Sequence, residues 1–292
     1  MTASSQPAPP KTIGEILRSG AAYLEQNGVP NARLVFEQVL SHILNCKRLE
    51  LYLRFERPLS QNQLDMLRSA TRRLAAGEPL QYVVGDTEFM GRRFRVDRRV
   101  LIPRPETETL VEAVLKCGGL WQGARPVLAD VGTGSGCIVA CLALERPDAH
   151  YIAIDRSVDA LGLARENAAA LGTAERIGFV AGDLLGAVRG GSLDAVVSNP
   201  PYIRSDECDR LPRHIREHEP RLALDGGGDG LQTLAALVGQ AREAVKPDGH
   251  LFMEIGCDQA DSVSGLLASS GFSAIGVIRD LGGRDRVVQA RR

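Results

Sequence analysis

Apolar residues recur at three- and four-residue spacing along the first part of the chain. Three runs show it, at Ile13–Ala21, Leu34–Leu44 and Leu64–Leu74. This spacing places apolar side chains on one face of a helix. Ser60, just before the third run, is a residue type favoured as a helix N-cap. The pattern predicts a small helical domain over residues 12–78.

The pattern changes beyond the helical region. Tyr82–Val84 are residue types that favour strands, and Gly91 is a turn residue between apolar positions. A β-hairpin linker over residues 79–103 is the simplest interpretation. Pro105 can begin the next helix, because a missing N–H costs little in the first turn. That helix is predicted to end near Cys117.

From Pro126 onwards, short apolar runs alternate with helical patterns. The predicted strands are Val127–Ala129, Tyr151–Ile154, Ile177–Val180, Leu193–Val197, His250–Ile255, Ser273–Ile278 and Arg286–Gln289. The predicted helices between them are Cys137–Leu144, Val158–Leu171, Leu231–Val245 and Asp258–Ser269. Such alternation predicts an α/β domain with a mostly parallel sheet covered on both faces. The last two strands are expected to form an antiparallel edge pair.

Composition narrows the classes of protein that fit. The chain has 292 residues, 44% of them hydrophobic, and a formal net charge of -1. A dedicated nucleic-acid binder would carry a basic surplus, so stable nucleic-acid binding is not expected.

Six scattered cysteines without a CxxC pair are typical of reduced thiols in the cytoplasm. No apolar run reaches the ~20 residues of a membrane span. Residues 1–11 lack a signal-peptide pattern and are predicted to be a disordered tail.

A glycine-rich segment follows the first predicted strand of the α/β region. It reads Asp130-Val131-Gly132-Thr133-Gly134-Ser135-Gly136. Glycines there let the backbone approach a ligand, and the next helix offers free N–H groups. The dinucleotide fingerprint would continue with Gly or Ala, where this chain has Cys137. The spacing is typical of methyltransferases, although a tight turn without a ligand remains an alternative.

Asp155 ends the second predicted strand, about 20 residues beyond the glycine-rich segment. A carboxylate at this position can accept hydrogen bonds from the hydroxyls of a ribose. S-adenosylmethionine and NAD both contain that ribose. The alternative role for Asp155 is to cap the helix that follows.

The segment Asn199-Pro200-Pro201-Tyr202 follows a buried strand and is the most specific feature of the sequence. Its prolines fix the backbone beyond the carboxyl edge of the sheet, where open α/β sheets bind ligands. An amide or amine nitrogen of a substrate would be aimed at a methyl donor if its N–H groups were accepted by the Asn199 side-chain oxygen and the Pro200 carbonyl. Tyr202 could pack on the flat substrate group. A rigid turn without a role is the alternative.

Six stretches together resemble the HemK/PrmC family of N5-glutamine methyltransferases, which modify the glutamine of the Gly-Gly-Gln motif in class I peptide release factors. The stretches are Gly77–Tyr82, Leu101–Glu108, Asp130–Gly136, Asn199–Tyr202, Glu219–Leu224 and Arg279–Val288. The resemblance covers nearly the whole chain after the tail. One departure is Val35-Phe36, where the family often has an Asp-Ala pair, and this leaves the details of partner binding open.

The resemblance implies a helical domain that binds the release factor, a hairpin linker and a seven-stranded Rossmann-like methyltransferase domain over residues 104–292. It implies S-adenosylmethionine as the cofactor, contacted by Gly132, Thr133, Gly134, Ser135, Gly136, Asp155, Asp183, Leu184 and Asn199. The implied substrate contacts are Asn199, Pro200, Pro201 and Tyr202, together with Glu106 and Thr107 from a segment near the pocket. Asn199, Pro200 and Tyr202 are the expected catalytic residues. We expect a cytoplasmic monomer without membrane association.

Other functions fit parts of the pattern. A ribosomal-protein glutamine, or an amino group of a flipped or single-stranded base, could be the methyl acceptor for the same clamp. A non-catalytic binding module and an NAD-dependent dehydrogenase explain less of the sequence. His214–His218 matches an HxxEH zinc pattern, but Pro212 and Pro220 leave little helix, so no metal is expected. The arginines of the predicted hairpin, Arg92 to Arg99, form either a solvated face or a docking surface.

Overall fold

The computed structural model describes residues 11–122 and 125–292. The predicted disordered tail over residues 1–11 lies outside this part of the chain, apart from Lys11. The chain divides into two compact units, with the boundary between Gly85 and Asp86. Among the described residues, no helix combines the length and apolar character needed to cross a bilayer.

The first unit is helical, as predicted. Its helices are α1 (Ile13–Gln26), α2 (Ala32–Leu44), α3 (Arg48–Leu53), α4 (Gln61–Ala75) and α5 (Leu80–Val84). Thr12 and Ser60 each form a capping box at the start of α1 and α4, so the predicted N-cap at Ser60 is confirmed. The apolar faces meet in a core that includes the fully buried Leu24, Phe36 and Leu40.

The prediction of an extended Tyr82–Val84 is wrong, because these residues form helix α5. The Arg73 guanidinium donates to the carbonyls of Tyr82 and Val83, which have no acceptor role within this short helix because they lie at its C-terminal end. Gly85 then takes a positive φ of 87° and ends it. Tertiary contacts therefore override the strand propensity of three consecutive residues.

The second unit begins with a hairpin of β1 (Asp86–Phe89) and β2 (Arg92–Arg95). This hairpin is shorter than the predicted 79–103 segment. Phe89 and Phe94, which are 1% and 0% exposed, pack in a core that also includes residues of the large sheet. The hairpin is therefore part of the second unit.

The rest of the second unit is an α/β domain. Its strands are β3 (Val127–Val131), β4 (His150–Asp155), β5 (Ile177–Ala181), β6 (Leu193–Ser198), β7 (Val245–Glu254), β8 (Ser273–Arg279) and β9 (Asp285–Arg291). Its helices are α6 (Glu108–Lys116), α7 (Cys137–Glu145), α8 (Val158–Ala170), α9 (Ser205–Cys208), α10 (Arg213–Arg216), α11 (Gln232–Ala244) and α12 (Ala260–Ser269). Short 3₁₀ turns occupy Pro105–Thr107, Gly118–Trp121, Ala174–Arg176 and Arg221–Ala223.

The seven strands form one sheet in the order β5-β4-β3-β6-β7-β9-β8. β3 to β7 pair in parallel, and β9 pairs antiparallel with both β7 and β8. The predicted fold class and the antiparallel edge pair are confirmed. The strand order reverses between β3 and β6, which is the crevice where sheets of this kind bind ligands.

Candidate active site

Strand register brings the predicted site residues to one edge of the sheet. Val131 pairs with Ile154 on one side and with Ser198 on the other. The next residue along each of these strands is Gly132, Asp155 or Asn199, so the register brings them to the same edge. The β6–β7 pairing adds Glu254, which follows Met253, the partner of Ser198.

The glycine-rich turn requires residues without a side chain. Gly132, Gly134 and Gly136 all take positive φ angles, of 73°, 53° and 76°. A Cβ at Gly136 would lie 3.0 Å from the Cβ of Ala164 in α8, so this glycine permits close packing of turn and helix. Gly132 lies beside Asn199, because a Cβ there would be 3.9 Å from the Asn199 carbonyl oxygen.

Asp155 supports this turn directly. Its Oδ2 accepts a hydrogen bond from the Gly134 amide at 2.9 Å, and its Oδ1 accepts one from the Ser157 amide at 2.9 Å. The N-cap of α8 is Ser157, whose hydroxyl accepts from the Ala160 amide. The alternative role of Asp155 as the N-cap is therefore wrong. A carboxylate has about four acceptor positions, so two backbone bonds leave capacity for a ligand.

Asp130, at the start of the glycine-rich segment, is a buried carboxyl group with 2% exposure. Its Oδ2 accepts from the Thr133 hydroxyl at 2.6 Å, whereas Oδ1 has no hydrogen-bond partner in the described structure. Burial raises the pKa of Asp130 to about 7. The Asp130 side chain therefore fixes Thr133 within the turn, and its burial disfavours the ionised form of the carboxyl group.

A cavity of about 430 Å³ opens at this edge of the sheet. Its walls include residues from the segments 99–104, 131–138, 154–157 and 220–225. The predicted site residues that line it are Gly132, Thr133, Gly134, Ser135, Asp155, Asp183, Leu184, Asn199, Pro201 and Thr107. The described lining does not include the other predicted site residues, which are Gly136, Pro200, Tyr202 and Glu106. The volume is in the range of small-molecule sites.

The Asn199 carboxamide is anchored through its nitrogen. Nδ2 donates to the hydroxyl oxygen of Thr107 at 3.2 Å. Within residues 11–122 and 125–292, no hydrogen bond occupies Asn199 Oδ1 or the carbonyl oxygen of Pro200. Asn199 Oδ1, in the cavity wall, and the carbonyl of the buried Pro200 next to it therefore carry no competing hydrogen bond within that part of the chain.

Tyr202 lies beside the cavity wall rather than in it. Its hydroxyl donates to Glu254 Oε1 at 3.1 Å and accepts from Arg286 Nη1 at 3.4 Å. Burial, together with the nearby Glu254 charge, raises the pKa of Tyr202. The Tyr202 side chain therefore contacts Glu254 and Arg286 and does not line the cavity. Glu106 is exposed and lines a separate cavity of 840 Å³ that includes Arg286.

Glu254 is a residue of this site that the sequence analysis missed. It is 2% exposed and accepts from the Thr107 hydroxyl at 2.6 Å. Burial raises the pKa of Glu254, and the hydroxyls of Thr107 and Tyr202 act in the opposite direction together with Arg286. The available signal was a carboxylate inside a predicted buried strand, His250–Ile255, which is uncommon outside functional sites.

Arg104 and Glu219 were also missed. Glu219 has a fully buried side chain that pairs with Arg104 at 2.5 Å and accepts from the Ile102 amide at 3.1 Å. These contacts join two of the segments that wall the cavity. A lone Glu in a proline-rich loop gave no signal of a partner more than 100 residues earlier in the chain.

The arginines of the hairpin region are engaged in ion pairs. Arg92 pairs with Glu145, Arg95 with Glu166, and Arg99 with Asp97, at 2.6 to 2.7 Å. This arrangement favours a solvated, internally paired face over a basic docking surface. In the described part of the chain, no group of three His, Cys, Asp or Glu side chains is arranged to hold a metal ion.

Comparison with known proteins assigns the chain to a family. A family model for the PrmC N-terminal domain matches residues 15–85, and one for the methyltransferase small domain matches residues 107–229. The release factor glutamine methyltransferase of Chlorobaculum tepidum is 41% identical over 282 residues, covering 94% of this chain and 95% of that protein. Its counterpart in Geobacter sulfurreducens is 40% identical and covers 96% of both chains. The chain belongs to the family of release factor glutamine methyltransferases.

Membership in this family makes the protein an enzyme, a methyltransferase, and confirms the resemblance seen in the sequence. A crystal structure of a methyltransferase from Pyrococcus furiosus has a TM-score of 0.52 and 14% identity, covering 80% of this chain and 98% of that one. At that identity the likeness concerns the fold alone. The cavity lies at the carboxyl edge of the parallel strands, where open α/β sheets bind ligands.

Proposed function

We propose that this enzyme transfers a methyl group from S-adenosylmethionine to the side-chain nitrogen of the glutamine in the Gly-Gly-Gln motif of class I peptide release factors. The observation that carries the proposal is Asn199 in the wall of a cofactor-sized cavity, with no hydrogen bond on its Oδ1 or on the adjacent Pro200 carbonyl in the described structure. The names of the relatives, which cover almost the whole chain, supply the substrate class.

The residues of the cavity fit S-adenosylmethionine. Asp155 has acceptor capacity for the ribose hydroxyls, and the Gly132–Gly134 backbone can approach the ligand without steric conflict. Leu184 is partly buried in the wall and gives an apolar surface for adenine. When bound, this cofactor supplies an electrophilic methyl group on a positively charged sulfur.

The substrate side of the site activates an amide nitrogen, which is a poor nucleophile. The lone pair of an amide nitrogen is delocalised, so its attack needs orientation and stabilisation of developing positive charge. Asn199 Oδ1 and the Pro200 carbonyl accept the two N–H groups and turn the nitrogen towards the methyl carbon. A new N–C bond forms as the carbon–sulfur bond breaks, and one N–H proton is then released to water.

The helical first unit is the proposed release-factor-binding part of the chain. Support comes from the family model for the PrmC N-terminal domain, which spans residues 15–85 and ends at the boundary between the units. A formal net charge of -1 gives no general attraction to nucleic acid. Because release factors act in translation, we expect the enzyme in the cytoplasm.

Labelled S-adenosylmethionine tests the proposal. The enzyme is incubated with a class I release factor, with the same factor carrying Ala in place of the motif glutamine, or with bulk RNA. We expect label in the first protein only. Label in the Ala-substituted factor would place the methyl group elsewhere, and label in RNA would favour the nucleic-acid alternative; either result overturns the proposal.

A further inference from the structure

A carboxamide such as that of Asn199 can present either its oxygen or its NH2 group to a ligand. The two orientations differ by a half-turn and have nearly the same shape, so packing alone does not choose between them. Only the orientation with Oδ1 towards the substrate accepts an N–H. Some feature of the protein must therefore fix the orientation of Asn199.

A chain of hydrogen bonds leads from Asn199 to a buried carboxylate. Glu254 Oε2 lies 2.6 Å from Thr107 Oγ1, which lies 3.2 Å from Asn199 Nδ2. An ionised carboxylate only accepts, so the single hydroxyl proton of Thr107 points to Glu254. Thr107 can then only accept from Asn199. The NH2 group of Asn199 must face Thr107, and Oδ1 must face away from it.

The burial of Thr107 and Glu254 preserves this direction of donation, from Asn199 to Thr107 and from Thr107 to Glu254. Thr107 and Glu254 are each 2% exposed, so bulk water does not compete for their hydrogen bonds. The other Glu254 oxygen accepts from Tyr202, whose hydroxyl lies 3.4 Å from Arg286. Burial raises the pKa of Glu254, whereas these donors and the Arg286 charge favour its ionised form.

We infer that Thr107 and Glu254 are positioning residues that fix the Asn199 carboxamide with its oxygen towards the substrate nitrogen. Neither needs to touch the substrate. The inference rests on the proposed function, since it explains how the proposed acceptor is oriented. It also gives Thr107 a different role from the substrate contact implied by the family resemblance.

Two substitutions at Thr107 separate the hydroxyl from the rest of the side chain. Thr107→Val removes the hydroxyl and keeps the branched shape, and Thr107→Ser keeps the hydroxyl. We expect kcat for release factor methylation to fall about 10- to 100-fold in Thr107→Val, because the acceptor is no longer held in place. Thr107→Ser should stay within about twofold of the parent, and both should bind S-adenosylhomocysteine with unchanged affinity.

A double-substitution cycle with Asn199→Ala distinguishes positioning from a general structural role. If Thr107 acts only through Asn199, Thr107→Val should cost less than about twofold in single-turnover rate once Asn199 is Ala. An equal loss in both backgrounds overturns the inference. Should Thr107→Val fail to fold, Glu254→Gln is measured in the same two backgrounds.

The pH profile gives a second readout. Protonated Glu254 can donate to Thr107 as well as accept from it, so the hydrogen-bond chain no longer has a single order and kcat should fall on the acid side of the profile. The groups that face this carboxyl are Thr107, Tyr202, Arg286 and the nearby Glu106 charge. Glu254→Gln should lower kcat and remove that acid limb. An unchanged kcat and pH profile in the folded variant, with an active parent, overturns the inference; an inactive parent overturns the proposed function itself.

Discussion

The Asp155 carboxylate accepts a hydrogen bond from the backbone amide of Gly134 at 2.9 Å. This contact joins the end of β4 to the glycine turn after β3, and it shapes the part of the backbone that faces the cavity. Because the carboxylate keeps unused acceptor positions, the same side chain can both hold the turn and bind a ribose.

Replacing Asp155 by Ala should therefore weaken the binding of S-adenosylhomocysteine. Loss of charge-assisted hydrogen bonds to the ribose, worth about 1.5–3 kcal/mol, corresponds to about 10- to 100-fold in Kd. Titration calorimetry measures the change. Asp159→Ala is the matched control, since Asp159 is an exposed carboxylate in the first turn of α8. Equal affinities of parent and Asp155→Ala would show that this carboxylate does not bind the cofactor.

The buried Glu219 joins two walls of the cavity through Arg104 and the Ile102 amide. Glu219→Ala leaves a buried N–H and a guanidinium without their acceptor, which should lower the free energy of unfolding by about 1–3 kcal/mol. Cofactor affinity should fall as well, because residues 220–225 lose their anchor. Denaturant unfolding and calorimetry measure the two effects.

Glu217→Ala is the control for this experiment. Glu217 is exposed and pairs with Arg213 on the same short helical turn. We expect neither stability nor cofactor affinity to change in this variant. If Glu219→Ala behaves like Glu217→Ala, the buried contacts do not hold the wall.

Asp130 should make stability depend on pH. Its pKa is about 7 in the folded protein against an ordinary value of 3.8, so the folded state retains a proton that the unfolded chain has released. The contribution of Asp130 is fully present below the ordinary pKa and is lost as pH rises towards about 7. Asp130→Asn should flatten this part of the profile, measured by denaturant unfolding between about pH 5 and about pH 8. Parallel profiles for parent and variant would contradict this assignment.

The fold was readable from the sequence because its signals are local. The five parallel strands of the sheet each contain a short apolar run, and Ser60 caps its helix with the expected side-chain hydrogen bond. The strand prediction for Tyr82–Val84 is wrong because hydrogen bonds from the Arg73 guanidinium to the Tyr82 and Val83 carbonyls favour a helical turn. Sequence spacing predicts only a linker hairpin, since it does not show that Phe89 and Phe94 are buried in the core of the second unit.

The site residues that directly follow a strand can be predicted from the sequence. Gly132, Asp155 and Asn199 come together because register aligns the ends of three neighbouring strands. Thr107 and Glu254 could not be assigned their contacts in this way, since their hydrogen bond joins residues that are 147 positions apart. Nor did the sequence show that Tyr202 faces Glu254 rather than the cavity. Side-chain direction in a loop depends on tertiary contacts that no local pattern records.

In the proposed reaction, Asn199 orients the nitrogen for methyl transfer and is not the main binding group for the cofactor. Single-turnover methylation of a release factor by Asn199→Ala, alongside the affinity of the same variant for S-adenosylhomocysteine, tests it most directly. We predict a fall of about 100-fold or more in the transfer rate and a change of less than about fivefold in affinity. Transfer at the parent rate would contradict the account.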